Sequence, residues 1–145
     1  MPIGLGSGIC GVITVRDALG LSTKVVGVVS TEAPAYALSF AAKKVVATNS
    51  ANTMADGMAV RGPDPEALDI ILKGADRIVQ VSDAEVTAAM RSYYEDAHQL
   101  TEGAGAASLA ALMQERDRMK GRRIGLILSG GNIDREVYLR ALAGA

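Results

Sequence analysis

The segment Met1-Pro2-Ile3-Gly4-Leu5-Gly6-Ser7-Gly8-Ile9-Cys10-Gly11 passes from the stub of an apolar strand, through a glycine-rich turn, into a helix expected to run from Ser7 to Leu19. Glycines permit a sharp turn and let backbone N–H groups come close to a ligand. A helix N-terminus adds partial positive charge, so a phosphate is well accommodated there. A tight strand-to-helix turn without a ligand is the plainer alternative. The dinucleotide pattern G-x-G-x-x-G is present in letter at Gly6, Gly8 and Gly11, but its context is lacking. The next strand ends Val28-Val29-Ser30-Thr31, and Glu32 comes too late to serve as a ribose partner. The lysine and Ser/Thr of a P-loop are absent as well.

Outward from this segment, short β-branched runs alternate with helical patterns. Lys24–Val29, Arg77–Val81 and Arg122–Leu128 are apolar on both faces, as strands of a buried parallel sheet are. Lys44–Ala47 reads as a shorter fourth strand. Helices are expected over Ala35–Ala42, over Asp64–Lys73 with Pro65 in the first turn and Gly74 as the stop, and from the capping box Ser82-Asp83-Ala84-Glu85 to about His98. Two more are expected, Ala104–Met119 and Asn132–Leu142. Thr48–Asp64 reads as a long connection. Strand–helix alternation predicts an α/β architecture: a three-layer open parallel sheet with helices on both faces.

Composition narrows the function. The 145 residues suit one domain with a real core. The balance of 15 basic and 16 acidic side chains, with four Tyr, one Phe and no Trp, argues against nucleic acid as a partner. One Cys and one His exclude a disulfide framework and a Cys- or His-rich metal site. No apolar run reaches the ~18 residues of a membrane span, and the first residues do not read as a signal peptide. A soluble cytoplasmic domain is expected.

Two further glycine loops stand out. Ser129-Gly130-Gly131-Asn132 directly follows the run ending at Leu128, and Glu102-Gly103-Ala104-Gly105-Ala106 precedes an Ala-rich helix. Ligands of open α/β sheets bind at the C-terminal ends of strands. In parallel strands all three glycine loops open on one edge of the sheet and form a pocket. For Ser129 the plainer alternative is a helix N-cap.

Pro2-Ile3-Gly4-Leu5-Gly6-Ser7-Gly8, Glu102-Gly103-Ala104-Gly105-Ala106 and Leu128-Ser129-Gly130-Gly131-Asn132 occur here in the order and spacing of threonine/serine dehydratases. The chain thus resembles these pyridoxal-phosphate (PLP) enzymes of fold type II, related to serine racemase. The resemblance covers essentially the whole chain but matches only the C-terminal half or so of such enzymes. The half carrying the Schiff-base lysine is absent. Residues 1–145 would therefore be a single PLP-binding α/β domain fragment.

Taken position by position, the resemblance implies that Gly4, Leu5, Gly6, Ser7 and Gly8 hold the PLP phosphate through backbone N–H groups. The family's loop is often four glycines, and Leu5 and Ser7 interrupt it here. Ser129 would hydrogen-bond the pyridine nitrogen, with Gly130 beside it. Glu102, the candidate catalytic residue, would sit near the ring and the reacting centre. Asp56-Gly57, within Thr53-Met54-Ala55-Asp56-Gly57, would line the site. A neutral hydroxyl at the ring nitrogen leaves it largely unprotonated, which favours expulsion of a β-leaving group over transamination. The implied activity is a PLP-dependent threonine/serine ammonia-lyase: β-elimination of water from a hydroxy amino acid, giving a 2-oxo acid and ammonia. Without the lysine this chain alone is expected to be inactive. It would work as a homo-oligomer or with a chain supplying the missing half. A non-catalytic PLP- or phosphate-binding remnant or subunit, and a dinucleotide-binding module, are the alternatives. Some relatives hold a divalent cation through two carboxylates. The matching positions here are Val29 and Ala35, Glu32 is no replacement, and no metal site is expected.

Other residues read more plainly. Cys10 is expected to be a small buried helix residue, His98 a helix end, and Tyr93 and Tyr94 packing or interface residues. Glu115–Lys120 reads as a solvated helix end. Lys24, Lys43, Lys44, Lys73 and Lys120 all read as surface residues near element ends.

Overall fold

Val25–Ser30 (β1) and Ala75–Val81 (β2) pair in parallel, with Val28 opposite Val79 and Ser30 opposite Val81, in the computed structural model, which describes residues 1–144. The N-terminal stub adds a third, minimal rung. Pro2 bridges Val28 in parallel, the Ile3 N–H donates to the Val28 carbonyl at 2.9 Å, and the Val28 N–H donates to the Met1 carbonyl at 2.9 Å.

Side chains alternate across a strand, and this alternation divides the core in two. Val25 and Val29 face one side with Ile3, Ile9, Leu68 and Ile71. This layer is closed by α1 (Ser7–Ala18), α2 (Ala35–Ala42) and α3 (Pro65–Gly74). Val28, Val79 and Val81 face the other side with Val86, Met90 and the alanines at 106, 107 and 110. There α4 (Asp83–Ala97), α5 (Gly103–Gln114) and α7 (Arg135–Ala143) form the cover. The result is the expected arrangement of helices on both faces of a parallel sheet. It also explains why the strands read as continuous apolar runs: both faces are buried.

The helix starts follow their local chemistry. Asp64 caps α3, its carboxylate accepting the Ala67 N–H at 2.9 Å, and Pro65 stands at the first helical position. At α4 the capping box is complete: Ser82 Oγ accepts the Glu85 N–H at 3.3 Å, and Glu85 Oε2 accepts the Ser82 N–H at 2.7 Å. His98 ends α4 in the left-handed region, with φ 53°.

Three expectations are corrected. Arg122–Leu128 forms no strand among the described residues. It has no ladder partner, and a strand without a neighbour has nothing to satisfy its backbone. Lys44–Ala47 is not a strand either. The Ser39 hydroxyl takes the place of a neighbouring strand there, accepting the Val46 N–H at 2.8 Å and donating to the Val46 carbonyl at 3.2 Å. The helix expected over Ala104–Met119 breaks at Glu115, leaving α6 (Arg116–Met119) as a separate turn. Glu115 is tied down by its partners: its carboxylate pairs with Arg77, the Nε bond measuring 3.1 Å, and with Arg118 at 3.0 Å.

The Arg77 guanidinium, hydrogen-bonded to Glu115, holds that carboxyl below its ordinary value, and Lys24 and Arg77 do the same for Asp76. A folded-state pKa below the unfolded one contributes stability that is complete above the unfolded value and lost as pH falls through the folded one. The midpoint of urea unfolding is therefore expected to hold steady down to about pH 4.3 and to fall below it. Glu115→Gln should lower the midpoint at neutral pH and flatten the acid decline. An identical acid slope in the variant would show that this pair does not carry the effect.

Candidate active site

A cleft of about 310 Å3 opens where the stub ends, and four stretches distant in sequence line it. Gly4, Leu5, Gly6, Ser7 and Gly8 form one wall, with Met1 and Pro2 beside them. Gly57 comes from a single 3-10 turn at Asp56–Met58. Glu102 and Ala104 come from the start of α5, and Ser129 from the loop before α7. Of the nine site residues expected from sequence, eight line this cleft. Gly130 lies immediately behind, against Glu102.

The glycine turn is held from below. Gly6 is the N-cap of α1, with φ 105° and no side-chain cap. A Cβ there would lie 2.8 Å from the Ala67 Cβ and 3.0 Å from the Tyr36 hydroxyl, so both backbone conformation and space require glycine. Tyr36 is buried, and its hydroxyl donates to the Leu5 carbonyl at 2.6 Å. The first N–H groups of α1 have no side-chain acceptor, and neither do those of α5, which also begins at the cleft. Two helix N-termini with free donors bring partial positive charge to the cleft, which the Glu102 carboxylate also lines.

Glu102 joins two of the walls. Its Oε2 accepts the Asn132 N–H at 3.0 Å, and its own N–H donates to the Gly130 carbonyl at 3.1 Å. A Cβ on Gly130 would fall 2.6 Å from Glu102 Oε1, so this glycine lets the loop lie flat on the carboxylate. Thr101, fully buried, places its hydroxyl 3.0 Å from the Glu102 carbonyl and 3.2 Å from that of Gly130. The loop bearing Ser129 is thus fastened to the start of α5. Ser129 is not a helix N-cap, because α7 begins at Arg135 with Asp134 at its cap.

The Ala-rich character of α5 serves this approach. Gly103 would meet the Ala55 Cα at 2.9 Å if it carried a Cβ, and Gly105 would meet the Gly130 carbonyl at 2.5 Å. Small residues let the turn at 56–58 and the 129–132 loop pack against a single helix. Tyr36, Thr101 and these small α5 residues did not stand out in sequence. Nothing in a single tyrosine within an apolar stretch, or a threonine before a glutamate, marks a bond to a distant carbonyl.

None of the five lysines lines the cleft among the described residues. Lys24 pairs with Asp76 at 2.9 Å. Cys10 is half-buried, its Sγ donating to the Ala67 carbonyl at 3.6 Å. Burial and then the Asp64 charge push its thiol above the ordinary value, the opposite of an activated nucleophile. No group of three or more His, Cys, Asp or Glu capable of holding a metal occurs among the described residues. None of the described helices is long and apolar enough to cross a membrane.

The sequence profile of the family described as pyridoxal-phosphate dependent enzyme matches residues 1–130. An L-threonine ammonia-lyase of Thermotoga maritima is 32% identical over 134 residues, covering 92% of this chain and 33% of the relative. One of Geobacter sulfurreducens is 35% identical over the same length and shares. Among solved structures, threonine deaminase isoform 2 from Solanum lycopersicum superposes with a TM-score of 0.90 at 26% identity, covering 99% of this chain and 43% of that one. Maize serine racemase gives a TM-score of 0.87 at 28% identity, covering 98% and 44%. The chain thus spans about a third of the length of these curated relatives. With profile, relatives and superposition in agreement, the chain belongs to the family of pyridoxal-phosphate dependent enzymes.

Proposed function

We propose that these residues are the cofactor-binding part of a PLP-dependent ammonia-lyase acting on a small hydroxy amino acid, threonine or serine. The observation that carries this reading is the cleft itself: a glycine turn at an uncapped helix N-terminus, with Ser129 and Glu102 sharing the same space. The residues present fit the cofactor. Free backbone donors of Gly6, Ser7 and Gly8 suit a phosphate monoester. Ser129 suits a ring nitrogen. Gly57 and Ala104 keep the wall low where a Cβ on Gly57 would lie 2.9 Å from that of Ala104. The names of the relatives support threonine as substrate, and threonine deaminase and serine racemase are both among the structural neighbours.

When bound, PLP supplies electron withdrawal from the substrate's α-carbon. The chain's own residues would hold and orient it. Gly6, Ser7 and Gly8 bind and orient the phosphate. Ser129 offers a neutral hydroxyl rather than a carboxylate, so nothing at that position forces a proton onto the ring nitrogen. Glu102 holds the Ser129 loop in place through Asn132 and itself lines the cleft. That assignment makes Glu102 as much an organiser of the site as a group near the reacting centre.

Gly6→Ala tests the phosphate site. The substitution forces a strained backbone, at a cost of order 1–3 kcal/mol, and crowds Tyr36. Affinity for pyridoxine 5′-phosphate, measured by calorimetry, should fall at least about tenfold. Undiminished affinity would remove the turn from the site.

None of the five lysines lines the cleft among the described residues. Covalent attachment of the cofactor needs an amine within reach of its aldehyde. The purified 145 residues alone are therefore expected to release no 2-oxobutanoate from threonine, as followed by a coupled keto-acid assay. Steady release would refute this, and would direct attention to Lys24, Lys43 and Lys44.

The segment at 122–128 bears on the same point. It forms no ladder, and Ile124, Ile127 and Leu128 stand exposed along it, as does Leu5 at the cleft. Unpaired backbone flanked by exposed apolar side chains is suited to accept a strand from another polypeptide. We expect association, either with further copies of the chain or with one bringing the lysine. A monomer persisting at high concentration in light scattering, with or without the remainder of a relative added, would count against it.

A further inference from the structure

Tyr36 lies in α2 directly beneath the glycine turn, 1% exposed, with its hydroxyl engaged on two sides. It donates to the Leu5 carbonyl at 2.6 Å and accepts the Asp64 N–H, at the start of α3, at 3.2 Å. Burial, together with the nearby Asp64 carboxylate, pushes the phenol above its ordinary value, so the proton it donates stays in place. Among the described residues no other donor reaches the Leu5 carbonyl.

The direction of that carbonyl matters. In a planar trans peptide the C=O and N–H point opposite ways, and no cis peptide occurs among the described residues. A Leu5 carbonyl drawn down to Tyr36 therefore turns the Gly6 N–H away from the protein interior beneath it. Leu5 and Gly6 flank this peptide unit, and at Gly6 glycine accepts either sign of φ at little cost. The turn by itself does not choose between the two orientations of the peptide. Leu5 cannot choose either, since its side chain is 67% exposed.

We propose that Tyr36 is a positioning residue for the phosphate-binding turn: its hydroxyl sets the Leu5–Gly6 peptide so that the Gly6 N–H joins those of Ser7 and Gly8 in receiving a phosphate monoester. This rests on reading the turn as the phosphate site of the cofactor. Tyr36 never touches the ligand. It acts through one carbonyl, and through Asp64 it ties the turn to α3, so that the wall of the cleft and the first helical layer move as one piece.

The test compares the full chain with Tyr36→Phe, using pyridoxine 5′-phosphate and pyridoxine as ligands in calorimetry. Neither ligand carries the aldehyde, so stray lysine adducts do not enter. Loss of one oriented donor should weaken pyridoxine 5′-phosphate about tenfold while leaving pyridoxine unchanged. Equal weakening of both ligands, or of neither, would overturn the assignment to Tyr36 while leaving the phosphate site standing. A wild-type chain that binds pyridoxine no less tightly than its phosphate would instead overturn the phosphate-site reading and the proposal with it. Should Tyr36→Phe fail to fold, amide NMR of the wild-type chain titrated with inorganic phosphate decides the matter. Movement of the Gly6, Ser7 and Gly8 amide protons together supports the proposal. A Gly6 amide that stays fixed while its two neighbours move overturns it.

Discussion

Parallel pairing of β1 with β2 is the constraint on which the rest of the molecule depends. Strands that run the same way cannot be joined by a hairpin, so the chain must cross over through helices between them. Both faces of the sheet are then covered, and the strands can be apolar throughout. The same direction places the end of every strand on one side. The stub joins this parallel set through its bonds to Val28, and for that reason the glycine turn emerges at the edge where the other loops gather.

What gathers there is held by polar contacts of unusual reach along the chain. Tyr36 spans 31 residues to Leu5 and 28 to Asp64. Glu102 spans 30 residues to Asn132. Asp83, at the start of α4, accepts both the Thr53 hydroxyl and the Met54 N–H at 2.9 Å, which fixes the stretch leading into the turn at 56–58. Each of these contacts fastens a loop rather than a regular element. Loops cannot satisfy their own backbone, so a site made of four of them needs side chains from elsewhere to hold each one.

The family relationship and the missing amine fit together. The glycine turn, Glu102 and Ser129 share one cleft, and no lysine is among the described residues lining it. The exposed segment at 122–128 leads directly into Ser129, which lines the cleft.

The sequence by itself determined the elements with local causes. The capping box at Ser82 and Glu85, the cap at Asp64 with Pro65, and the apolar runs of β1 and β2 are written in neighbouring residues, and their structure follows from short-range chemistry. The glycine turn and the Glu102 and Ser129 loops were legible through order and spacing. Only the tertiary structure decided the rest. Arg122–Leu128 has the composition of a strand, yet strand formation is a property of a pair, and no partner lies beside it among the described residues. Val46 found a serine where a strand was expected. Tyr36 and Thr101 acquired their roles because packing carried their hydroxyls to carbonyls 31 and 29 residues away. A hydrogen bond across such a separation leaves no mark in local composition, since it depends on the close approach of backbones that only the assembled layers bring together.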